Sequence, residues 1–187
     1  MKKLLFLLLF FSSTYPATDA CDSSFDFALT TGYVFKHDDC HFKQVYGHGV
    51  VDVITADGCY YPWEYWGIGG KVSYWYAKGK TLFLHNCTHL HEIPLTFYLR
   101  RRTEWWRNLQ AYAELGGGVI FMREHSYIGK AKHHKGIGAL EVGLDYSTCR
   151  CFDLTFAFRY LFPKERIHCQ KVDAGGFDLR AGILFSY

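Results

Sequence analysis

From Phe25 onward apolar and polar side chains change places at every residue through one segment after another, the period of a β-strand with two unlike faces. The first segment sets Phe25, Phe27, Leu29, Thr31, Tyr33 and Phe35 against Asp26, Ala28, Thr30 and Gly32. A second, at about 49–60, opposes Val51 and Val53 to Asp52. A third, at about 65–76, opposes Trp66, Ile68, Val72, Tyr74 and Tyr76 to Lys71 and Ser73. The fourth alternates Ile93, Leu95, Phe97 and Leu99 with Thr96, Tyr98 and Arg100. The fifth alternates Leu109, Ala111, Ala113, Leu115, Val119 and Phe121 with Gln110, Tyr112 and Glu114. The sixth opposes Leu140, Val142, Leu144 and Tyr146 to Glu141 and Asp145, and the seventh opposes Phe152, Leu154, Phe156, Phe158, Tyr160 and Phe162 to Asp153, Thr155 and Arg159. The eighth sets Phe177, Leu179, Ala181, Ile183, Phe185 and Tyr187 against Asp178, Arg180 and Ser186. Eight strands at hairpin spacing are predicted, and an even number closes a barrel.

Periodicity alone does not say which face is inside, because a soluble barrel shows the same alternation inverted. Charge decides. With the polar face inward, Asp26, Asp52, Lys71, Arg100, Glu114, Glu141, Asp145, Asp153, Arg159, Asp178 and Arg180 share a lumen in which acids and bases pair. With it outward, the aromatics of the seventh segment alone overfill an interior that has room only for side chains or one small ligand. The expected fold is therefore an all-β, eight-stranded, antiparallel, up-and-down transmembrane β-barrel. Trp63, Trp66, Trp105 and Trp106 then fall at turns on one side, where an interfacial aromatic girdle belongs.

The beginning of the chain adds a location. Met1, Lys2 and Lys3 precede the apolar run from Leu4 to Phe11 and a small or polar stretch from Ser12 to Ala20, the layout of a cleaved signal peptide. That run is far shorter than the roughly 20 residues of a transmembrane helix. Residues 1–20 are read as the signal and 21–187 as the barrel domain, a single-domain length. Thr18, Asp19 and Ala20 do not make a lipobox before Cys21. Composition agrees with a sheet protein: 19% of residues are aromatic, and 18 Gly stand against 4 Pro.

The succession HEIPLTFYLRRR, AYAELGGGVIF, FDLTFAFRYLFP and FDLRAGILFSY, with VSYWYAKGKT before it, resembles small outer-membrane β-barrel proteins of the OmpW-like and OmpX/OmpA-like type. The resemblance runs over roughly residues 25–187 and implies a bacterial outer-membrane location, contact with outer-membrane lipid and lipopolysaccharide, and recognition of the last strand by the barrel assembly machinery. It carries little about activity, since such barrels include adhesins, small-solute pores, an acyltransferase and structural proteins. Tyr187 replaces the more usual terminal Phe, and the seven cysteines are unusual for the family.

Outward connections are expected at about 36–49, 77–91, 122–136 and 163–173. They hold all ten histidines: His37, His41, His48, His85, His89, His91, His125, His133, His134 and His168. Eleven Lys or Arg, among them Lys130, Lys132 and Lys135, stand there against five acids, so this end is a cationic cap. The candidate binding residues are His37, His41, His85, His89, His91, His133, His134, Lys130, Lys132 and Lys135. Their chemistry suits an anionic surface ligand such as lipid phosphates or sulfated glycans. Solvated loops that merely neutralise nearby phosphates are the blander reading, and secretion argues against nucleic acid.

No cofactor or metal is expected. Cys87, His89 and His91 share a face of an extended segment, with His85 two residues earlier, and 37–41 (HDDCH) is a second cluster, yet neither supplies a clear full ligand set. An odd number of cysteines leaves one over for a disulfide to an envelope neighbour, with none expected in a strand centre. No spacing of Ser126 and the histidines identifies a nucleophile and base, and the glycines of 67–70 and 136–138 are not followed by a helix, so no enzyme is expected. The functional expectation is a structural or adhesion-like surface role through the basic loops. A narrow OmpW-like channel for small or apolar solutes is the alternative, and a soluble ligand-binding barrel is third.

Overall fold

In the computed structural model of the protein the described residues are 24–36, 45–46, 49–80, 87–106, 108–126, 129–148, 152–163 and 175–187. The signal sequence read at 1–20 lies outside them. Eight strands follow one another: β1 (Ser24–Lys36), β2 (Val50–Trp63), β3 (Trp66–Lys80), β4 (Cys87–Trp106), β5 (Leu109–Ser126), β6 (Gly129–Ser147), β7 (Asp153–Pro163) and β8 (Gly176–Ser186). Each pairs antiparallel with the next, and β8 returns to β1 to close an up-and-down barrel. The seam runs from Asp26 opposite Ser186 to Lys36 opposite Gly176. Beyond it Phe25 and Tyr187 exchange backbone hydrogen bonds of 3.0 and 2.9 Å. Closure matters because a sheet edge left open in hydrocarbon strands its N–H and C=O groups without partners.

The burial pattern is that of a soluble protein turned inside out. Phe97, Leu115 and Ile54 are more than 60% exposed, whereas Lys71, Arg159 and Asp178 are at most 2% exposed. Fully buried Lys and Arg are rare in water-soluble domains, and an apolar surface wrapping a whole molecule needs lipid against it. β2, β4 and β6 end, at Trp63, Trp106 and Ser147, on the same side of the barrel as Ser24 and Tyr187, and each following strand begins there after a short stretch of sequence. Short turns mark the periplasmic side of such barrels. There Trp63, Trp105 and Trp106 stand out from the wall.

Two expectations are corrected. β4, β5 and β6 have 20, 18 and 19 residues, against the roughly 9–11 that cross a bilayer. Most of what the sequence suggested as outward loops at 77–91 and 122–136 is therefore continuous strand rising above the membrane. The second correction concerns β2. Val51 and Val53 are buried inside, and Asp52 is exposed on the outer wall opposite Tyr33. Asp52 does not belong to the lumen. The cause is a local reversal of lumen polarity, since the extracellular half of the interior is filled by apolar side chains.

Candidate functional site

The lumen is built in layers by inward residues two apart on every strand. In the middle layer Arg100 of β4 bridges Asp57 of β2 and Glu114 of β5, at 2.5 Å to each. Lys71 of β3 reaches Glu114 at 2.8 Å and Glu141 of β6 at 2.7 Å. Glu141 also accepts a hydrogen bond from Arg180 of β8, which donates again to Asp178 at 2.8 Å. Arg159 of β7 donates to Asp178 at 2.6 Å and to Ser73 of β3 at 2.9 Å. Ser73 in turn accepts from Thr55 of β2 at 2.9 Å. Four acids and four bases are thus joined in one network with no formal excess of either sign. Tyr98 and Tyr112 pack their rings on Arg100, and their hydroxyls donate to Asp57 and Glu141. Pairing and added hydrogen bonds are what make buried charge tolerable.

Above this layer the interior becomes apolar. Val34, Val51, Val53, Trp75, Ala77, Ile120, Ile137, Ala139 and Leu161 form one buried cluster, with Tyr46, Leu90 and Met122 packed against it. The Lys36–Glu92 pair sits beside it, and the Trp75 indole N–H donates to Glu92. Below the charged layer, Arg102 lies over the Tyr61 ring at 4.0 Å and stands 3.8 Å from Asp26.

Of the lumen residues singled out in the sequence, Lys71, Arg100, Glu114, Glu141, Arg159, Asp178 and Arg180 are brought together in this network. Asp26 and Asp145 are buried nearer the periplasmic end, and Asp153 is half-buried at the start of β7. Sequence reasoning missed Asp57, because Val51 and Val53 were used to choose the outer face of β2. Ile54 and Tyr60, both exposed and on the parity opposite to Asp57, carried the signal that would have found it.

The basic candidates divide between two faces. His89 and His91 of β4 and Lys130, Lys132 and His134 of β6 share the outward parity, whereas His133 and Lys135 are on the inward parity of the same β6 hairpin arm. Lys78, Arg123 and His125, outside the original set, join the outward group. His91 and His89 accept or share hydrogen bonds with the hydroxyls of Tyr74 and Tyr76, at 2.9 and 2.5 Å to Nδ1. The His125 imidazole is held below its usual pKa by partial desolvation and then by the charges of Lys130 and Arg123. His37, His41 and His85 lie outside the described residues. Among the described residues no group of three or more His, Cys, Asp or Glu is arranged to hold a metal ion.

Cys59 is buried inside β2 against Tyr61 and Tyr98, toward the periplasmic end of the strand, and Cys87 is exposed at the start of β4. The other five cysteines lie outside the described residues.

No family model matches the chain, and no curated protein matches it in sequence. Its architecture is similar to solved barrels. The outer membrane protein OprG of Pseudomonas aeruginosa superposes with a TM-score of 0.62 at 12% identity, over 88% of this chain and 96% of that one. Neisserial surface protein A gives 0.55 at 12% identity, over 88% and 97%. Ail, the attachment invasion locus protein of Yersinia pestis, in complex with the heparin analogue sucrose octasulfate, gives 0.51 at 16% identity, over 87% and 97%. Closed eight-strand topology, an apolar outer wall, a charged interior and these likenesses agree: the chain has the fold of the small β-barrels of the bacterial outer membrane.

Proposed function

We propose that the protein is a non-enzymatic, sealed outer-membrane barrel with a structural and surface-interaction role, adhesion-like in kind, and that its basic extracellular end recognises an anionic ligand. The observation that carries this reading is the closure of the lumen: Arg159 reaches Ser73 across the barrel, and an apolar cluster fills the space above. Chemistry is then left to the outer surfaces, where bases and histidines collect. Lipopolysaccharide phosphates and sulfated glycans have the matching charge. The barrel assembly machinery is the proposed insertion partner, acting on β8. An exposed cysteine such as Cys87 is the kind that a disulfide to an envelope neighbour requires.

Sucrose octasulfate, the molecule bound by the similarly folded Ail, is the probe of choice. Titrated against the protein in phosphatidylcholine nanodiscs, it is expected to bind in a salt-dependent way, and planar bilayers holding the protein are expected to show no single-channel steps. Absence of binding together with steady conductance would replace this reading with that of a narrow channel.

A further inference from the structure

Among the described residues three buried side-chain atoms have no hydrogen-bond partner. One is Nη1 of Arg159, whose guanidinium donates elsewhere to Asp178 and Ser73. The other two are carboxylate oxygens, Oδ1 of Asp26 and Oδ1 of Asp145, on residues that are 4% and 8% exposed. A buried carboxylate oxygen without a donor is costly, and one that persists calls for an ion or a water beside it.

Both oxygens belong to the periplasmic mouth of the lumen. Asp145 faces Thr155 across β6 and β7 and accepts a hydrogen bond from its hydroxyl with the other oxygen. Register runs on from Thr155 to Gly182 and from Gly182 to Thr30. Asp26 lies further down β1, and the stagger of a closed barrel brings it to the level of Asp145, where its charge acts on that carboxylate. Asp153, half-buried, and Glu104, exposed, continue the inward parity of β7 and β4 toward the same end.

The bases nearby are engaged otherwise. Arg100, one layer up, is held between Asp57 and Glu114. Arg102 stands 3.8 Å from the other oxygen of Asp26, but it donates to the Glu64 carbonyl at 2.8 Å and to Ser24, and lies over the Tyr61 ring. The central network is balanced within itself. Among the described residues the mouth therefore sets Asp26, Asp145, Asp153 and Glu104 against Arg102, an excess of acid.

We propose that this mouth binds a hydrated divalent cation, magnesium or calcium, between Asp26 and Asp145. Hard cations of this kind take oxygen donors, and magnesium in particular is held through one or two carboxylates while it keeps several waters. Two carboxylates are fewer than an all-protein cage needs, so water completes the shell. The cation lies below the sealed central layer and is reached from the periplasm. It ties β1 to β6, which are not neighbours in the sheet, so loading the site stabilises the folded barrel by mass action. The inference rests on the orientation of the barrel and not on the anionic-ligand reading above.

The test uses the protein in phosphatidylcholine nanodiscs free of lipopolysaccharide, which itself takes up divalent cations. Terbium(III), whose emission is excited through nearby tyrosines such as Tyr61 and Tyr112, is expected to bind and to be displaced by magnesium or calcium. The urea unfolding midpoint is expected to be higher in millimolar magnesium chloride than in chelator. D26N/D145N, close in shape to the native pair, is expected to lower terbium affinity on the order of tenfold or more and to remove the effect of magnesium on the midpoint. D52N, on the outer wall, is expected to leave both unchanged. Heat-modifiable migration checks folding, and D145N alone serves if the double variant does not fold. Equal midpoints in chelator and magnesium without terbium emission overturn the proposal, the two oxygens then being met by water or a proton. Undiminished terbium binding by the folded D26N/D145N or D145N variant, or an equal loss in D52N, also overturns it. Failure of sucrose octasulfate to bind, with the terbium results as expected, removes only the anionic-ligand reading.

Discussion

Arg159 on β7 and Ser73 on β3 stand at opposite points of an eight-stranded ring, and a single 2.9 Å hydrogen bond joins them through the centre. One arginine therefore spans the lumen, with Asp178 holding its other edge at 2.6 and 2.8 Å. Arg159→Met leaves Asp178 with only Arg180 and is expected to destabilise the barrel by about 3–5 kcal/mol, the usual result of breaking one side of a buried pair. Adding Asp178→Leu is expected to recover part of that loss. Urea unfolding in detergent, read by band shift between boiled and unboiled samples, measures both. If Arg159→Met unfolds at the wild-type midpoint, the central layer is not held by this pair.

The outer wall responds to charge in the opposite sense to a soluble surface. Leu115 is 64% exposed, midway along the apolar outward run of β5. Leu115→Arg is expected to cost about 2–4 kcal/mol in a bilayer, as for basic residues near the midplane of other barrels. In a water-soluble protein the same change at so exposed a position is nearly neutral. Unfolding in phosphatidylcholine vesicles decides between the two.

The two described cysteines differ in access. With the other five changed to serine, a membrane-impermeant maleimide added to intact cells is expected to label Cys87 and not Cys59, which is 1% exposed inside the wall. Labelling of Cys59 is expected only after denaturation. Reaction of Cys59 in the folded barrel would mean that the lumen opens.

His125 supplies a pH dependence with a definite sign. Desolvation and the charges of Lys130, Arg123, His91 and His89 disfavour its protonated form in the folded protein. Between that lowered pKa and the ordinary value of about 6.5, the unfolded chain holds a proton that the folded chain does not, so stability declines as pH falls through this window. An NMR titration of the His125 ring is expected to show a midpoint below the ordinary value, moving up in Arg123→Gln. A midpoint that ignores Arg123 would mean that this charge does not act on the ring.

What the sequence by itself determined was the number of strands, their antiparallel order and the inverted polarity of most of the wall. Period-two alternation names a face for each strand, and Arg100, Glu114, Glu141, Arg159, Asp178 and Arg180 lie on the less greasy face whatever their neighbours are. Only the tertiary structure decided the height of β4 to β6 and the division of the basic residues between two faces, and it chose the face of β2, where Val51 and Val53 argue for one parity and Ile54 and Tyr60 for the other. Val51 and Val53 look lipid-facing until Trp75, Ile120 and Leu161 are seen to meet them in the lumen, and Asp57 is legible as a partner only once Arg100 is placed two strands away. The reason is physical: alternation is a local property of one strand, whereas inside and outside are properties of a closed ring. The row Lys78, His89, His125 and Lys130 is assembled by register across four strands, and register exists only after the barrel has closed.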